Sequence, residues 1–387
     1  MPAETSPDAA PGFSDNELAR RRASVRGAMD KQGVAALLVY GSPGLDNEVS
    51  YLADYPVTRE ALLLFPASGQ PMLLVEYFNH VSYARRVSRS CDVRWGGGDL
   101  AATAAEALRA RGLAGERLGF AGPLPARHYL ALQRALPHAP LLDFGATMRR
   151  FRLIKSAEEL AVIRWAARYT DLAVEALERH AHPGVSEHEL IEAIESAYVG
   201  LGGQTGIHYL AATPMDRPSV CVPAQRPSGR RLTPGDALLF EISAQHRGYP
   251  GQLLRTFAIA ADPTPAYQRM YDLAVVVFDA IAATLRAGAT SEEVVDVAER
   301  IHAAGYTICD DLLHGLGGGY LPPILRTRQT GASGQPFVFA ANMTVVIQPN
   351  ITTPDERSGV QLGELVRVTP DGIERLHHYP MRFTRCE

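Results

Sequence analysis

A chain of 387 residues with 46% hydrophobic and 21% charged residues has ordinary globular composition and enough length for two cores, so two domains are expected. A formal net charge of -4 provides no basic field of the kind that gathers nucleic acid or an anionic membrane surface, so neither is an expected partner. No apolar run reaches the ~20 residues that span a bilayer; the opening MPAETSPDAAPGFSDNE lacks a signal-like region, and Cys91, Cys221, Cys309 and Cys386 show no pairing pattern, so a cytoplasmic protein with reduced thiols is expected.

Residues 1–13 mix Pro, Ala, Ser, Asp and Glu without periodicity and read as a disordered tail. Over 14–150, helical patterns such as ELARRRASVRGAMDKQG and AATAAEALRARGLAG alternate with the apolar runs AALLVY, ALLLF and MLLV, which predicts an α/β domain. The boundary falls at FRLIKSAEEL. There Ser156 and Glu159 have the spacing of a capping box, and Leu160, Ile163, Ala167, Thr170, Val174 and Leu177 recur at helical intervals. The second domain, 151–387, carries an internal repeat. PGVSEHELIEAI and AGATSEEVVDVA, offset by 104 residues, each pair a hydroxyl with a Glu three positions on (Ser186 with Glu189, Thr290 with Glu293), and each leads into β-type sequence. Two related halves place a site at their shared sheet.

The segment LLFEISAQHRGYPGQLLRTF (238–257) reads as a hairpin. A turn centred on His246 and Arg247 sets Glu241 directly opposite Gln252, with Cβ atoms ~5 Å apart. Strand alternation adds Leu239 and Ser243 to the same face.

At this point the chain resembles the creatinase, prolidase and aminopeptidase P superfamily. The resemblance rests on FRLIKSAEE, the hairpin, HGLGGGYLPP, NMTVVIQPN and GVQLGELVRVTPDG, and it covers nearly the whole sequence. It implies an α+β protein: a C-terminal pita-bread domain behind an N-terminal α/β domain of the creatinase type. It also implies a homodimer, because relatives let one subunit's N-terminal domain close the neighbour's site. Peptidases of the superfamily hold two metal ions with Asp, Asp, His, Glu and Glu; by motif these positions fall here on Glu241, Gln252, His314, Gln348 and Gly363. The positions of two further family histidines fall on Gln225, after Ala224, and near Leu321. Two divalent ions need several anionic oxygens, and four carboxylates have become one, so no metal and no other cofactor is expected. In style the site is similar to ectoine hydrolase, which also has a Glu in the first position and shifts the last acid by one, as Glu364 does here, and to creatinase, which works without metal.

The reading is therefore a metal-independent hydrolase of an amide, amidine or ureido C–N bond in a small polar molecule. A carboxyl beside apolar residues has its pKa raised by desolvation, which makes Glu241 the candidate base or nucleophile, with His314 as proton donor and Glu364 as a third catalytic candidate if a bulge turns it inward. Gln252, Gln348 and Gln361 supply neutral donors and acceptors for the substrate, and Arg255, Tyr320 and His208, the last expected with Tyr209 on a loop near the pocket mouth, complete the candidate contacts. The bland reading pairs Glu241 with Arg255 or His314. The alternatives in function are an Xaa-Pro peptidase or dipeptidase, and a non-catalytic binding protein on the same fold.

Overall fold

The central strands of the first domain, residues 36–41, 61–66 and 72–75, are buried along their whole length because both faces of their sheet are covered. In the computed structural model, which describes residues 10–44, 48–331 and 335–387, the chain divides into two compact units. One is Gly12–Arg152; the other is Leu153–Glu387, to which Ala10 and Pro11 also belong. Residues 1–9 of the expected disordered tail lie outside the described residues. Residues 10–13 form no helix or strand, yet the Phe13 ring sits 4.0 Å below the Arg21 guanidinium.

In the first unit β1 (Ala36–Gly41), β2 (Ala61–Pro66), β3 (Met72–Val75), β4 (Asp92–Trp95), β5 (Leu118–Ala121) and β6 (Leu141–Asp143) form a sheet ordered β4-β3-β2-β1-β5-β6. The β1–β2 and β2–β3 pairs are antiparallel and the others parallel. Leu37, Val39 and Leu63 point into one core with Val25 and Met29 of α1 (Asp15–Lys31), whereas Leu38, Leu62 and Leu64 meet Ala104 and Leu108 of α2 (Leu100–Ala110).

The second unit contains α3 (Ala157–His180), α4 (Glu187–Ser196), α5 (Pro265–Thr284) and α6 (Ser291–Ala298). The capping boxes at Ser156, Ser186 and Thr290 all form, fixing three helix starts at about 1 kcal/mol apiece. The strands are β7 (Gln204–Pro214), β8 (Asp236–His246), β9 (Tyr249–Ile259), β10 (Thr307–Ile308), β11 (Leu313–Leu316), β12 (Tyr320–Leu325), β13 (Thr344–Ile347), β14 (Ile351–Thr352), β15 (Gly363–Val368), β16 (Ile373–Arg375) and β17 (Thr384–Cys386). Seven run in the order β12-β11-β13-β15-β9-β8-β7, β16 and β17 flank this path, and β10 pairs β14 separately. Helices α3 and α4 pack on Phe240, Ile242 and Leu253 of one half; α5 and α6 pack on Val345, Ile347 and Val366 of the other. Among the described residues, Leu239, Leu254, Val346 and Leu365, whose side chains alternate to the other face, belong to none of the four cores. That face holds the site. No described helix is long and apolar enough to cross a membrane.

The hairpin register differs from the expectation. His246 pairs with Tyr249 across Arg247 (φ 49°) and Gly248 (φ 77°), a two-residue turn left-handed at both positions, for which glycine at the second is the favoured choice. Glu241 therefore stands opposite Leu254, and Gln252 opposite Ser243. The displacement is two residues, an even number, so both side chains keep one face.

Candidate active site

Glu241 and Gln252 are diagonal neighbours, and Gln252 Nε2 donates to Glu241 Oε1 at 2.6 Å. Pairing carries the same face across the sheet: Tyr209 of β7 opposes Glu241, Gly363 opposes Leu254, and His314 opposes Val346, two residues before Gln348. The His314 ring stacks on Tyr320, centroids 4.1 Å apart and 24° from parallel. Tyr320 Oη donates to Asp311 Oδ2 at 2.5 Å, and Arg326 Nε donates to Asp311 Oδ1 at 2.8 Å. Asp310 accepts from Asn350 Nδ2 at 3.3 Å. Gln348 Nε2 donates to the Asp311 carbonyl at 3.0 Å, while its Oε1 reaches towards His314 without a well-formed bond.

These groups share one field. Burial, with Asp310 adding to it and the Gln252 bond opposing, pushes the Glu241 carboxyl up to about 8. Burial likewise raises Asp310. Burial lowers His314 to about 4, against the opposing pull of the Gly315 carbonyl and Asp311. Burial first, then Asp311, Asp310 and Glu241, raise the Tyr320 phenol. At neutral pH the site thus holds a protonated Glu241 and an uncharged His314. His314 Nδ1 lies 3.2 Å from the Gly315 carbonyl, and the Gln348 side chain approaches the same ring. At neutral pH the expected base carries the proton.

Three sequence candidates lie elsewhere. Glu364 opposes Leu253 and Ile347 with no register shift to turn it inward, so it stays on the helix-covered face. Its carboxylate takes Arg255 Nη2 at 2.7 Å and Arg375 Nε and Nη2 at 2.5 and 2.8 Å. Burial works to raise it, but the two guanidiniums hold it below the usual carboxylate range. Arg255 is spent on Glu364 and on the carbonyls of Gly363 and Pro380, so it neither neutralises Glu241 nor points to a ligand there. His208 sits on a strand rather than a loop; it opposes Ile242, and its Nε2 bonds Tyr198 Oη at 2.7 Å. Conversely, Asp310 went unassigned from sequence. The adjacent acids Asp310 and Asp311 just ahead of His314 were the available signal.

The residues do not fit a pair of divalent ions. Among the described residues no group of three or more His, Cys, Asp or Glu side chains is arranged to hold a metal. The five superfamily positions offer one carboxyl, one imidazole and two amides. The fifth position has no room for an acid. A Cβ on Gly363 would lie 2.5 Å from the Ile347 carbonyl oxygen and 2.9 Å from Gln348 Cα, so glycine there is a packing requirement as well as a missing ligand.

The two-unit fold and this face define a hydrolase class. The chain belongs to metallopeptidase family M24, which matches residues 161–370, with a creatinase/prolidase N-terminal domain over residues 21–154. It is 25% identical over 358 residues to the uncharacterized peptidase YqhT of Bacillus subtilis, covering 88% of this chain and 96% of that one. It is 26% identical over 259 residues to the Xaa-Pro dipeptidase of Lactobacillus delbrueckii subsp. lactis, covering 66% and 68%. The structure of the Xaa-Pro dipeptidase from Bacillus anthracis superposes with a TM-score of 0.81 at 21% identity over 95% of this chain and 99% of that one. The α+β architecture with a C-terminal pita-bread domain is thereby established.

Proposed function

We propose that this chain hydrolyses a C–N bond in a small polar molecule without a divalent metal, using Glu241 to handle the proton. The observation that carries the reading is the donor set: one carboxyl, one imidazole, two amides and a glycine where a dinuclear site needs several anionic oxygens. In the reaction, Glu241, which ionises as pH rises through about 8, takes a proton from water in its ionised form, the water oxygen adds to the carbon, and the C–N bond breaks as Glu241 returns that proton to the leaving nitrogen. His314 Nε2 and the glutamine amides orient the polar groups. Chelator-treated protein screened by mass spectrometry against small amides, amidines and ureido acids should show turnover that Glu241→Gln abolishes. Turnover that returns only with added Mn²⁺, Co²⁺ or Zn²⁺ would overturn the reading.

The second reading is an Xaa-Pro dipeptidase. The names of the relatives support it more strongly than the first; the donor set stands against it. Including Xaa-Pro dipeptides in the same screen, with and without metal, separates the two.

A further inference from the structure

We propose that Cys221 and Cys309 form a thiol modification site, a dithiol that closes to an intramolecular disulfide when a low-molecular-weight disulfide, such as that of glutathione, reaches Cys309. The proposal is independent of the hydrolytic reading and holds or fails without it.

Spacing alone pairs none of the four cysteines, but the fold brings two of them together. Cys309 directly follows β10, which pairs with β14, and its Sγ lies 3.4 Å from Thr352 Oγ1 of β14. Thr352 in turn bridges Gly359, and Ser358 beside that glycine bridges Val220. A Cβ on Gly359 would collide with the Cys221 carbonyl oxygen and lie 3.0 Å from Thr352 Cγ2, so glycine there is what admits the Cys221 backbone to this corner. Both cysteines therefore flank the same contact between Thr352 and Gly359. Their side chains meet as well: the Cys309 thiol is within hydrogen-bond reach of the Cys221 thiol, and both sulfurs are free.

The two thiols differ in access. Cys309 is exposed and Cys221 is buried. Burial, then Cys309 and Glu356, push the Cys221 thiol up to about 12, so it keeps its proton. Cys309 is therefore the sulfur that an oxidant meets, and Cys221 the one that resolves the product. The other two cysteines are buried apart from this pair, Cys91 in the first unit against Arg22 and Cys386 in β17, and they serve as internal controls.

Cys309, once it has lost its proton to solvent, attacks one sulfur of glutathione disulfide. A bond forms between Cys309 and glutathione, the glutathione S–S bond breaks, and one glutathione thiolate leaves. The Cys221 sulfur then attacks the Cys309 sulfur and gives up its proton to the second glutathione as that departs. Two protein thiols are oxidised, and one glutathione disulfide is reduced to two thiols. A thiol already beside the mixed disulfide reacts as if at high concentration, which offsets its scarce thiolate. In a reducing compartment such a pair rests as the dithiol and closes on oxidation. The bond fastens the chain between β7 and β8, which carries Cys221, to the segment before β11, where Asp310 and Asp311 follow Cys309. Asp311 holds Tyr320, Arg326 and, through its carbonyl, Gln348, so oxidation pins the segment that braces the candidate site.

The test is peptide mapping by mass spectrometry of the folded, reduced full chain after incubation with glutathione disulfide at about pH 8, quenched with N-ethylmaleimide before denaturation. In the wild type the expected product is an intramolecular disulfide between Cys221 and Cys309, reversed by dithiothreitol, with Cys91 and Cys386 still thiols. Cys221→Ser should raise the fraction of Cys309 held as the glutathione mixed disulfide by at least about tenfold. Cys309→Ser should slow the loss of the Cys221 thiol by at least about tenfold. A wild-type product that stalls at the Cys309 mixed disulfide with Cys221 still a thiol would overturn the proposal. So would a crosslink between two chains, modification of Cys91 or Cys386 at the rate of Cys309, or no reaction at Cys309. Because the wild-type map decides it, misfolding of a variant leaves the test intact, and turnover or its absence in the substrate screen has no bearing on the outcome.

Discussion

Glu241→Gln should make the second unit more stable as pH rises. Wild-type Glu241 goes from an ordinary 4.5 to about 8 in the folded protein, so the native state binds a proton that the unfolded chain gives up between those values. The sign follows: this contribution to stability is whole below pH 4.5 and is lost as pH rises through 8. The loss is about 3 kcal/mol by pH 7 and about 5 kcal/mol above pH 8, at 1.36 kcal/mol per unit. Glutamine resembles the protonated acid and can still accept from Gln252 Nε2, so the variant escapes the loss. The chain has two tryptophans, Trp95 in the first unit and Trp165 in α3 of the second. In a Trp95→Phe background, urea unfolding followed by Trp165 fluorescence therefore reports on the second unit alone, where a whole-chain transition would mix two units. The difference in stability between Glu241→Gln and the parent should grow from pH 5 to about pH 8 and level off by pH 9. A difference flat within about 0.5 kcal/mol across that range would mean that Glu241 is ionised in the empty site, and the charge argument would fail.

Three further outcomes follow from the same geometry. His314 is depressed to about 4 from 6.5, so its share of stability is present above pH 6.5 and lost as pH falls towards 4; His314→Gln should remove about 3 kcal/mol of acid sensitivity, read in the same unfolding assay. Gly363→Glu should not restore a metal site but should destabilise by a few kcal/mol, seen as a lowered thermal midpoint with and without Mn²⁺, because its Cβ meets the backbone of Ile347 and Gln348. Glu364→Gln should cost about 3–5 kcal/mol by leaving Arg255 buried and unpaired, yet its purified folded fraction should titrate at Glu241 as the parent does, since Glu364 lies on the other face.

What the sequence made legible was local. Ser156, Ser186 and Thr290 announce their helices because a capping box needs only four consecutive residues. Alternation along a strand put Glu364 and Gln361 on opposite faces and needs no partner strand. The hairpin register was missed because symmetry around His246 and Arg247 outweighed the demand of a two-residue turn for positive φ, which Arg247 and Gly248 meet. His208 was misplaced because QTGIHYLAATP carries the glycine of a loop but runs as one strand, with a register shift between Thr205 and Ile207. Asp310 showed in the sequence only as one of two adjacent acids ahead of His314; its effect on Glu241 depends on tertiary structure, and no spacing in the chain encodes that field.

The central claim is that this cleft has too little negative charge to hold a pair of divalent ions. Calorimetric titration of Mn²⁺, Co²⁺ and Zn²⁺ into chelator-treated protein at pH 7 tests it most directly. The account predicts no saturable binding that depends on Glu241 and His314, whereas two ions per chain, lost together in Glu241→Gln, would contradict it.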